Sequence, residues 1–256
     1  MSPSLAVIIQ NYKRPQNVGR IARAARQGLP GAAILVLDQA ETDTFHERND
    51  VDWPDIWLQR SDVNRGTGAR VPLVTQLPFD HYIAIDDDVF LTAAQIFQLA
   101  QQLRAAPDRA HGIFGERLQS AGGANINVLS GITRVNWALS NLNQVYAFTR
   151  AQAAAALELS AALGSAWEDV GATDDILLSC AATQPPLCHD LGPIAYCPTS
   201  DDPQIACWKS DGFTQRRVAL YSKLMAAGAV SVFPPLPQRE AQPSGRARPA
   251  HPKASV

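Results

Sequence analysis

Long apolar runs are missing from this chain. None approaches the roughly 20 residues that a membrane helix needs, so no integral membrane segment is expected. Charge of one sign is missing too. The formal net charge over 256 residues is -2, too little for a global field that steers a protein to nucleic acid. Cysteine is scarce, with four residues at 180, 188, 197 and 207. None forms a Cys-x-x-Cys pair, which argues against a zinc site. Cys188-His189 alone is a poor metal signal, and buried free thiols are the expectation. Also absent are the Walker lysine loop, the dinucleotide glycine fingerprint and the Gly-x-Ser-x-Gly nucleophile elbow. No internal repeat occurs. No basic region with a cleavable apolar segment precedes the first expected strand. A signal peptide is therefore not expected, and a cytoplasmic location is, with peripheral contact to a membrane left open.

What is present suits a folded core. The chain is 46% apolar and 18% charged, and its length suits one large domain or two small ones. One stretch stands out: His81-Tyr82-Ile83-Ala84-Ile85-Asp86-Asp87-Asp88-Val89-Phe90. Tyr82 to Ile85 reads as a buried strand. Three adjacent carboxylates follow, and burying an unpaired carboxylate is costly. A hard divalent cation would relieve that cost, because Mg²⁺ and Mn²⁺ take oxygen ligands and share them with phosphates. In extended backbone Asp86 and Asp88 point to one side and Asp87 to the other. Asp86 and Asp88 are thus the candidate metal ligands. A solvated acidic turn is the competing explanation. A strand in front and a helix behind favour the metal, since ligands of open α/β sheets gather at the carboxyl ends of strands.

The flanking pattern is α/β. Leu5 to Ile9 reads as a first strand, followed by the polar loop Gln10-Asn11-Tyr12-Lys13-Arg14. Pro15 suits a helix start, and Val18, Ile21, Ala22 and Ala25 share one helical face. Gly28 and Gly31 end that helix, and 32–38 reads as a second strand ending on Asp38. Such a β-α-β start implies a parallel sheet. Residues 39–55 are polar, with Trp53-Pro54 near the end, and 56–58 reads as a third strand. Asn64-Arg65-Gly66-Thr67-Gly68 is a loop that suits either a phosphate or a plain turn. Thr92 is a good N-cap for a helix over 93–105, with Ile96, Phe97, Leu99, Ala100 and Leu103 expected on its buried face.

The second half reads as mixed. Gly122-Gly123 marks a turn, 128–139 and 145–148 read as strands, and 150–163 as an alanine-rich helix. Thr173 or Asp174 is placed to cap a helix whose first turn holds Asp174 and Asp175. Residues 190–197 look strand-like. Arg216 and Arg217 lie early in a helix over 213–227, where a cation gains nothing from the macrodipole, so an anion is expected to face them. Positions 234–256, with Pro234, Pro235, Pro237, Pro243, Pro249 and Pro252, read as a disordered, mildly basic tail.

Two acidic clusters and scattered cations at loop positions point to a substrate with phosphates. A sugar diphosphonucleotide fits. A metal would bridge its phosphates and stabilise the departing oxygen. An arginine fork suits phosphate oxygens, and a second carboxylate would serve the acceptor hydroxyl or the oxocarbenium-like sugar.

Four short blocks, in order, resemble the GT-A glycosyltransferases, and among them the exostosin-like enzymes of glycosyltransferase family 64. Asn11-Tyr12-Lys13-Arg14 is similar to that family's loop after the first strand, and Asn64-Arg65 to an Asn-Arg pair at the donor. Ile85-Asp86-Asp87-Asp88 resembles its metal motif, and Asp174-Asp175-Ile176 the acidic pair beside the reacting sugar. Beyond these four, Gln215-Arg216-Arg217 with Lys223-Leu224 resembles its basic helix. The resemblance implies an α/β fold of the GT-A, Rossmann-like type, a mixed sheet flanked by helices. It implies one domain over 1–233, with a nucleotide-binding half to about 116 and an acceptor half beyond. It implies Asp175 and Arg217 as catalytic, with Asn11, Arg14, Asn64, Arg65, Asp86 and Asp87 at the donor nucleotide. Asp86 and Asp88 then bind Mn²⁺ or Mg²⁺. The implied reaction moves a sugar, an N-acetylhexosamine, from a UDP-sugar to a hydroxyl acceptor such as a glycan, with retention. Lys13 departs from the family pattern. So do Thr173 and Leu220, which stand where animal members carry cysteines. That departure suits a reducing compartment and not a Golgi enzyme with a heparan-type acceptor. The residues alone leave three alternatives: an inverting family 2 transferase with Asp175 or Asp169 as base, a nucleotidyltransferase, and a nucleotide-sugar-binding protein without activity. Trp137, Trp167 and Trp208 are candidates to stack on a sugar ring or to fill the core.

Overall fold

The computed structural model describes residues 4–40, 56–120 and 126–235. The segment with Trp53-Pro54, the turn expected at Gly122-Gly123 and positions 236–256 of the proline-rich stretch lie outside them. In chain order the first half forms β1 (Leu5–Asn11), α1 (Pro15–Gly28), β2 (Ala33–Asp38), β3 (Ile56–Arg60), α2 (Arg70–Gln76), β4 (His81–Asp86), β5 (Val89–Phe90) and α3 (Ala93–Ala105). The second half forms β6 (His111–Gly112), β7 (Phe114–Ser120), β8 (Ile126–Thr133), β9 (Trp137–Ala138), β10 (Asn141–Leu142), β11 (Val145–Thr149), α4 (Arg150–Ala162), α5 (Asp174–Cys180), β12 (Leu187–Cys188), β13 (Ala195–Tyr196), α6 (Phe213–Ala226) and β14 (Val232–Phe233).

Every residue of β1 is buried. Leu5, Val7 and Ile9 join one hydrophobic cluster with α1 and α3, while Ala6 and Ile8 join a second on the other face. A strand covered on both faces needs such a continuous apolar run. The main sheet runs β3-β2-β1-β4-β11-β6-β12-β9. β3, β2, β1 and β4 are parallel, and β11 enters antiparallel to β4. A mixed sheet flanked by helices is therefore what the chain builds, as its pattern implied. A smaller sheet of β10, β7 and β14, with β8 on β7, stands beside it.

Local chemistry explains most of the elements. Pro15 opens α1, and Val18, Ile21, Ala22 and Ala25 are buried as their spacing predicts. Gly28 is required by packing: a Cβ there would sit 2.4 Å from the Ala93 carbonyl oxygen at the start of α3. Thr92 and Gln95 form a capping box on α3.

Four expectations need correction. Phe97 is 45% exposed. The buried stripe is Ile96, Leu99, Ala100 and Leu103, and one residue further along turns the side chain by about 100° out of it. The expected strand over 128–139 breaks after Thr133, where Arg134 takes a left-handed φ of 56°. β8 then stays with β7, while β9 joins β12 in the main sheet. The strand expected over 190–197 is reduced to Ala195–Tyr196, because Gly192, at φ 88°, and Pro193 interrupt it. Helix α2 was not anticipated at all. It has seven residues, with Val71 and Val74 buried, too few to show a period. Among the described residues no helix is long and apolar enough to cross a membrane.

One buried polar pair ties β6 to β12. His111 and His189 stack with ring centroids 5.2 Å apart, and His111 Nδ1 lies 2.9 Å from His189 Nε2. His111 Nε2 lies 2.8 Å from the Ala106 carbonyl oxygen and must donate to it. Nδ1 is then the acceptor and His189 the donor, so two neutral rings complete the pair. Burial first, then His111, pushes His189 down to about 4. The unfolded chain therefore takes up a proton that the native state refuses. Stability from this site is intact above pH 6.5 and is lost as pH falls toward 4. Replacing His189 with Gln keeps a donor and removes the titration. Urea unfolding at pH 7 and pH 4.5 should show a smaller pH-dependent loss in His189→Gln, by on the order of 1 kcal/mol.

Candidate active site

The acids gather at the carboxyl end of the parallel strands. β1 ends on Asn11, β2 on Asp38 and β4 on Asp86. Asn11, fully buried, donates to Asp38 Oδ1 at 2.6 Å. That bond ties two neighbouring strand ends together.

The three consecutive aspartates have different partners. Asp86 accepts from Arg70 Nη1 at 3.0 Å. Asp87 accepts from Arg14 Nη1 at 2.7 Å and from the Tyr12 backbone N–H at 3.0 Å. Asn17 donates to the Asp87 carbonyl. Asp88 has its Oδ2 3.9 Å from Arg14 Nη2, and its carbonyl receives Cys197 N–H at 2.8 Å. Arg14 also donates to the Thr199 hydroxyl and carbonyl, both at 2.9 Å. Asp87 and Arg14, both expected at the donor nucleotide, are thus spent on each other. They fasten the loop after β1 to the segment before α6. Asn64 and Arg65 are exposed. Asn64 receives Gly66 N–H and Gln39 receives the Arg65 N–H, which leaves the Arg65 side chain at the surface.

The second cluster comes from α5. Thr173 does not cap this helix. Its hydroxyl donates back to the Val170 carbonyl, and Asp175 itself receives the Ile176 N–H. The capping expected of Thr173 or Asp174 is absent because Asp174 points inward. It has no exposed surface. It receives Arg70 Nε at 3.1 Å, the Tyr146 hydroxyl at 3.0 Å and the Thr67 hydroxyl. Asp175 receives Arg217 Nη1 on both oxygens at 2.9 Å. Arg217 Nη2 reaches Glu116 at 3.1 Å, and Glu116 also receives the Tyr221 hydroxyl, which contacts Asn141. The anion expected to face Arg217 is therefore the protein's own. Arg216 instead stays exposed, bonded to the Asp211 carbonyl. Trp167 is half-buried and donates to the Gly68 carbonyl, Trp137 is half-buried in β9, and Trp208 is 45% exposed and donates to the Ser200 carbonyl.

Asp86, Asp175 and Arg217, predicted from distant parts of the chain, are linked through Arg70, Glu116 and Tyr221, which carry no expectation from the sequence, and through Asp174 with its inward partners Tyr146 and Thr67. Arg70 had one available signal, a lone cation between Gly68 and the apolar Val71. Glu116 and Tyr221 had none.

The electrostatics leave a surplus of acid. The ion pairs among the described residues set Asp86, Asp87, Asp88, Asp174, Asp175 and Glu116 against the guanidinium groups of Arg14, Arg70 and Arg217. Burial raises Asp86 to about 7, with Asp88, Asp174 and Asp87 adding to the rise against the pull of Arg70. Burial likewise raises Asp175 to about 7, with Asp174 and Glu116 adding and Arg217 opposing. Among the described residues no three His, Cys, Asp or Glu side chains form a ready-made metal cage. A cation of the Mg²⁺ or Mn²⁺ type needs none, since one or two carboxylates and substrate phosphates hold it. Asp86 and Asp88 fit that limited role by charge and by their partial exposure.

No protein-family model matches the chain, and no curated protein matches its sequence. Solved structures do. A crystal structure of GalNAc-T7 with UDP, GalNAc and Mn²⁺ superposes with a TM-score of 0.52 at 10% identity, over 76% of this chain and 44% of that one. The chain thus spans under half the length of that neighbour. Staphylococcus aureus TarS, residues 1–349, superposes with a TM-score of 0.51 at 13% identity, over 87% of this chain and 72% of that one. These likenesses show the fold, which is that of GT-A glycosyltransferases.

The raised acids set a sign for the metal-free protein. A carboxyl whose native pKa lies above its unfolded value gives stability that is full below about pH 4 and is lost as pH rises through about 7. A cation at Asp86 should offset that loss. The rise in melting temperature on adding Mn²⁺ should therefore be larger at pH 7.5 than at pH 5.5, and thermal shift assays at the two pH values check this.

Proposed function

We propose that this protein is a metal-dependent glycosyltransferase that moves a sugar from a UDP-sugar to a hydroxyl acceptor. One observation carries the reading: Asp86, Asp174, Asp175, Glu116 and Arg217 converge at the carboxyl rim of a GT-A sheet. The exostosin-like resemblance makes the sugar an N-acetylhexosamine and the outcome retention. In this reading residues to about 116 bind the nucleotide, and 117–233 bind a glycan or other hydroxyl acceptor.

Asp86 and Asp88 would hold Mn²⁺ or Mg²⁺, which when bound would supply positive charge to the departing diphosphate. Asn64 and Arg65 line the donor side, Asn11 acts from beneath it by tying the ends of β1 and β2, and Arg14 with Asp87 shapes the loop there. The bond from the sugar C1 to the phosphate oxygen breaks, and the acceptor oxygen bonds to C1. With retention the acceptor proton passes to the departing phosphate oxygen. Asp175, held by Arg217, stabilises the cationic sugar in its ionised form. Arg217 acts through that carboxylate, since both its terminal nitrogens already serve acids.

A second reading has one observation in its favour. Asp175, raised to about 7, has the affinity of a general base that works near neutral pH. Asp175 would then take the acceptor proton, and the product would be inverted. NMR of the product anomer separates the two. Either way, UDP release from a UDP-N-acetylhexosamine should require Mn²⁺. Asp88→Ala should lower it by about 100-fold or more, with the melting temperature of the apoprotein held. Unchanged turnover in that variant removes the metal role. Pyrophosphate release from UTP and a sugar phosphate would replace the transferase reading with a nucleotidyltransferase.

A further inference from the structure

Arg70 is 1% exposed, and no expectation from the sequence included it. Its guanidinium reaches two carboxylates in two directions, Asp86 through Nη1 and Asp174 through Nε. The Tyr146 ring lies 4.9 Å from its centre. Asp174 is fully buried, so it has no route to a substrate. We propose that Arg70 is a positioning residue that fixes α5, and with it the Asp175 carboxylate, against the strand end that carries Asp86.

The argument starts from α5 itself. It has seven residues and no side-chain cap. A helix that short does not hold its own shape in water, so tertiary bonds must place it. Its first residue, Asp174, supplies them: Arg70, Tyr146 and Thr67 all donate to it. Successive side chains on a helix turn by about 100°. Pinning Asp174 inward therefore dictates where Asp175 faces, and it faces Arg217. Arg70 links this pin to Asp86, 16 residues away, and to Asp174, 104 residues away. Only a planar fork reaches both acids. A lysine ammonium is a single point and lacks the span to meet both acids in the two directions where they lie.

Arg70 so placed does not hold the donor. The charge-keeping Arg70→Lys should mis-aim the reacting carboxylate while a cation stays beside Asp86, so turnover should fall much further than donor binding. A displacement of about 1 Å at a reacting group costs about 100-fold in rate.

The test uses the full chain as Arg70→Lys, with Tyr146→Phe as the milder variant, which removes one hydroxyl and keeps the ring. Hydrogen exchange of the α5 amides 178–181 should quicken by about 10-fold or more in Arg70→Lys and by less in Tyr146→Phe, with α3 amides unchanged as reference. With Mn²⁺ and a UDP-sugar, kcat should fall by about 100-fold in Arg70→Lys while the donor KM moves by less than about 3-fold. Unchanged α5 exchange in the folded variants overturns the proposal. So does a raised KM with kcat held, which would make Arg70 a donor-binding group. The kinetic arm rests on the transferase reading, and the exchange arm does not. If the wild-type protein turns over no nucleotide sugar, that reading fails, and exchange still decides Arg70. If Arg70→Lys does not fold, Tyr146→Phe decides by the same two measurements.

Discussion

A guanidinium with almost no contact to solvent holds this molecule's acidic rim together. Taking Arg70 out of water is costly, and so is taking Asp174 out of water. The two costs are met because each charge finds the other, and further partners support the pair. Tyr146 and Thr67 complete Asp174, and Asp86 completes Arg70. Removing Arg70 would leave Asp174 buried without its counter-charge. Helix α2 and strand β4, neighbours in the chain, therefore meet helix α5, whose first residue lies 104 residues on from Arg70, at one point.

Around that point the charges do not balance. Two further arginines face the remaining acids, and both are already engaged. Arg14 closes the loop after β1 onto Asp87 and Thr199, and Arg217 divides itself between Asp175 and Glu116. The surplus is negative, and burial makes it expensive, as the raised Asp86 and Asp175 express. Such a rim favours a cationic partner and disfavours a bare phosphate. A phosphate brought with a divalent cation satisfies both demands. The histidine pair between β6 and β12 follows the opposite rule. There burial removes charge altogether, and two neutral rings share a proton-ordered bond.

Much of the scaffold was legible along the chain. The runs Leu5 to Ile9 and Tyr82 to Ile85 are apolar at every position because strands between two helical layers are covered on both faces. Pro15, the Thr92 capping box and the four-residue stripe of α3 are local signals, and they hold in the structure. The misses have local causes as well. α2 is too short to show a period. Arg134 breaks a strand through one backbone angle that its side chain does not announce. Phe97 is apolar yet sits one step off the buried stripe.

The order of residues by itself determined the α/β class, the parallel start, and the acids at the ends of strand and helix. Those depend on contacts within a few residues, where side-chain periodicity and capping act. Only the tertiary structure decided which charges meet. Asp87 rather than Asp86 takes Arg14. Asp174 turns inward to Arg70, and Arg217 is claimed by Asp175 and Glu116. The reason is that electrostatic partners are chosen by distance in space and by shared burial, and neither quantity is carried by spacing along a chain.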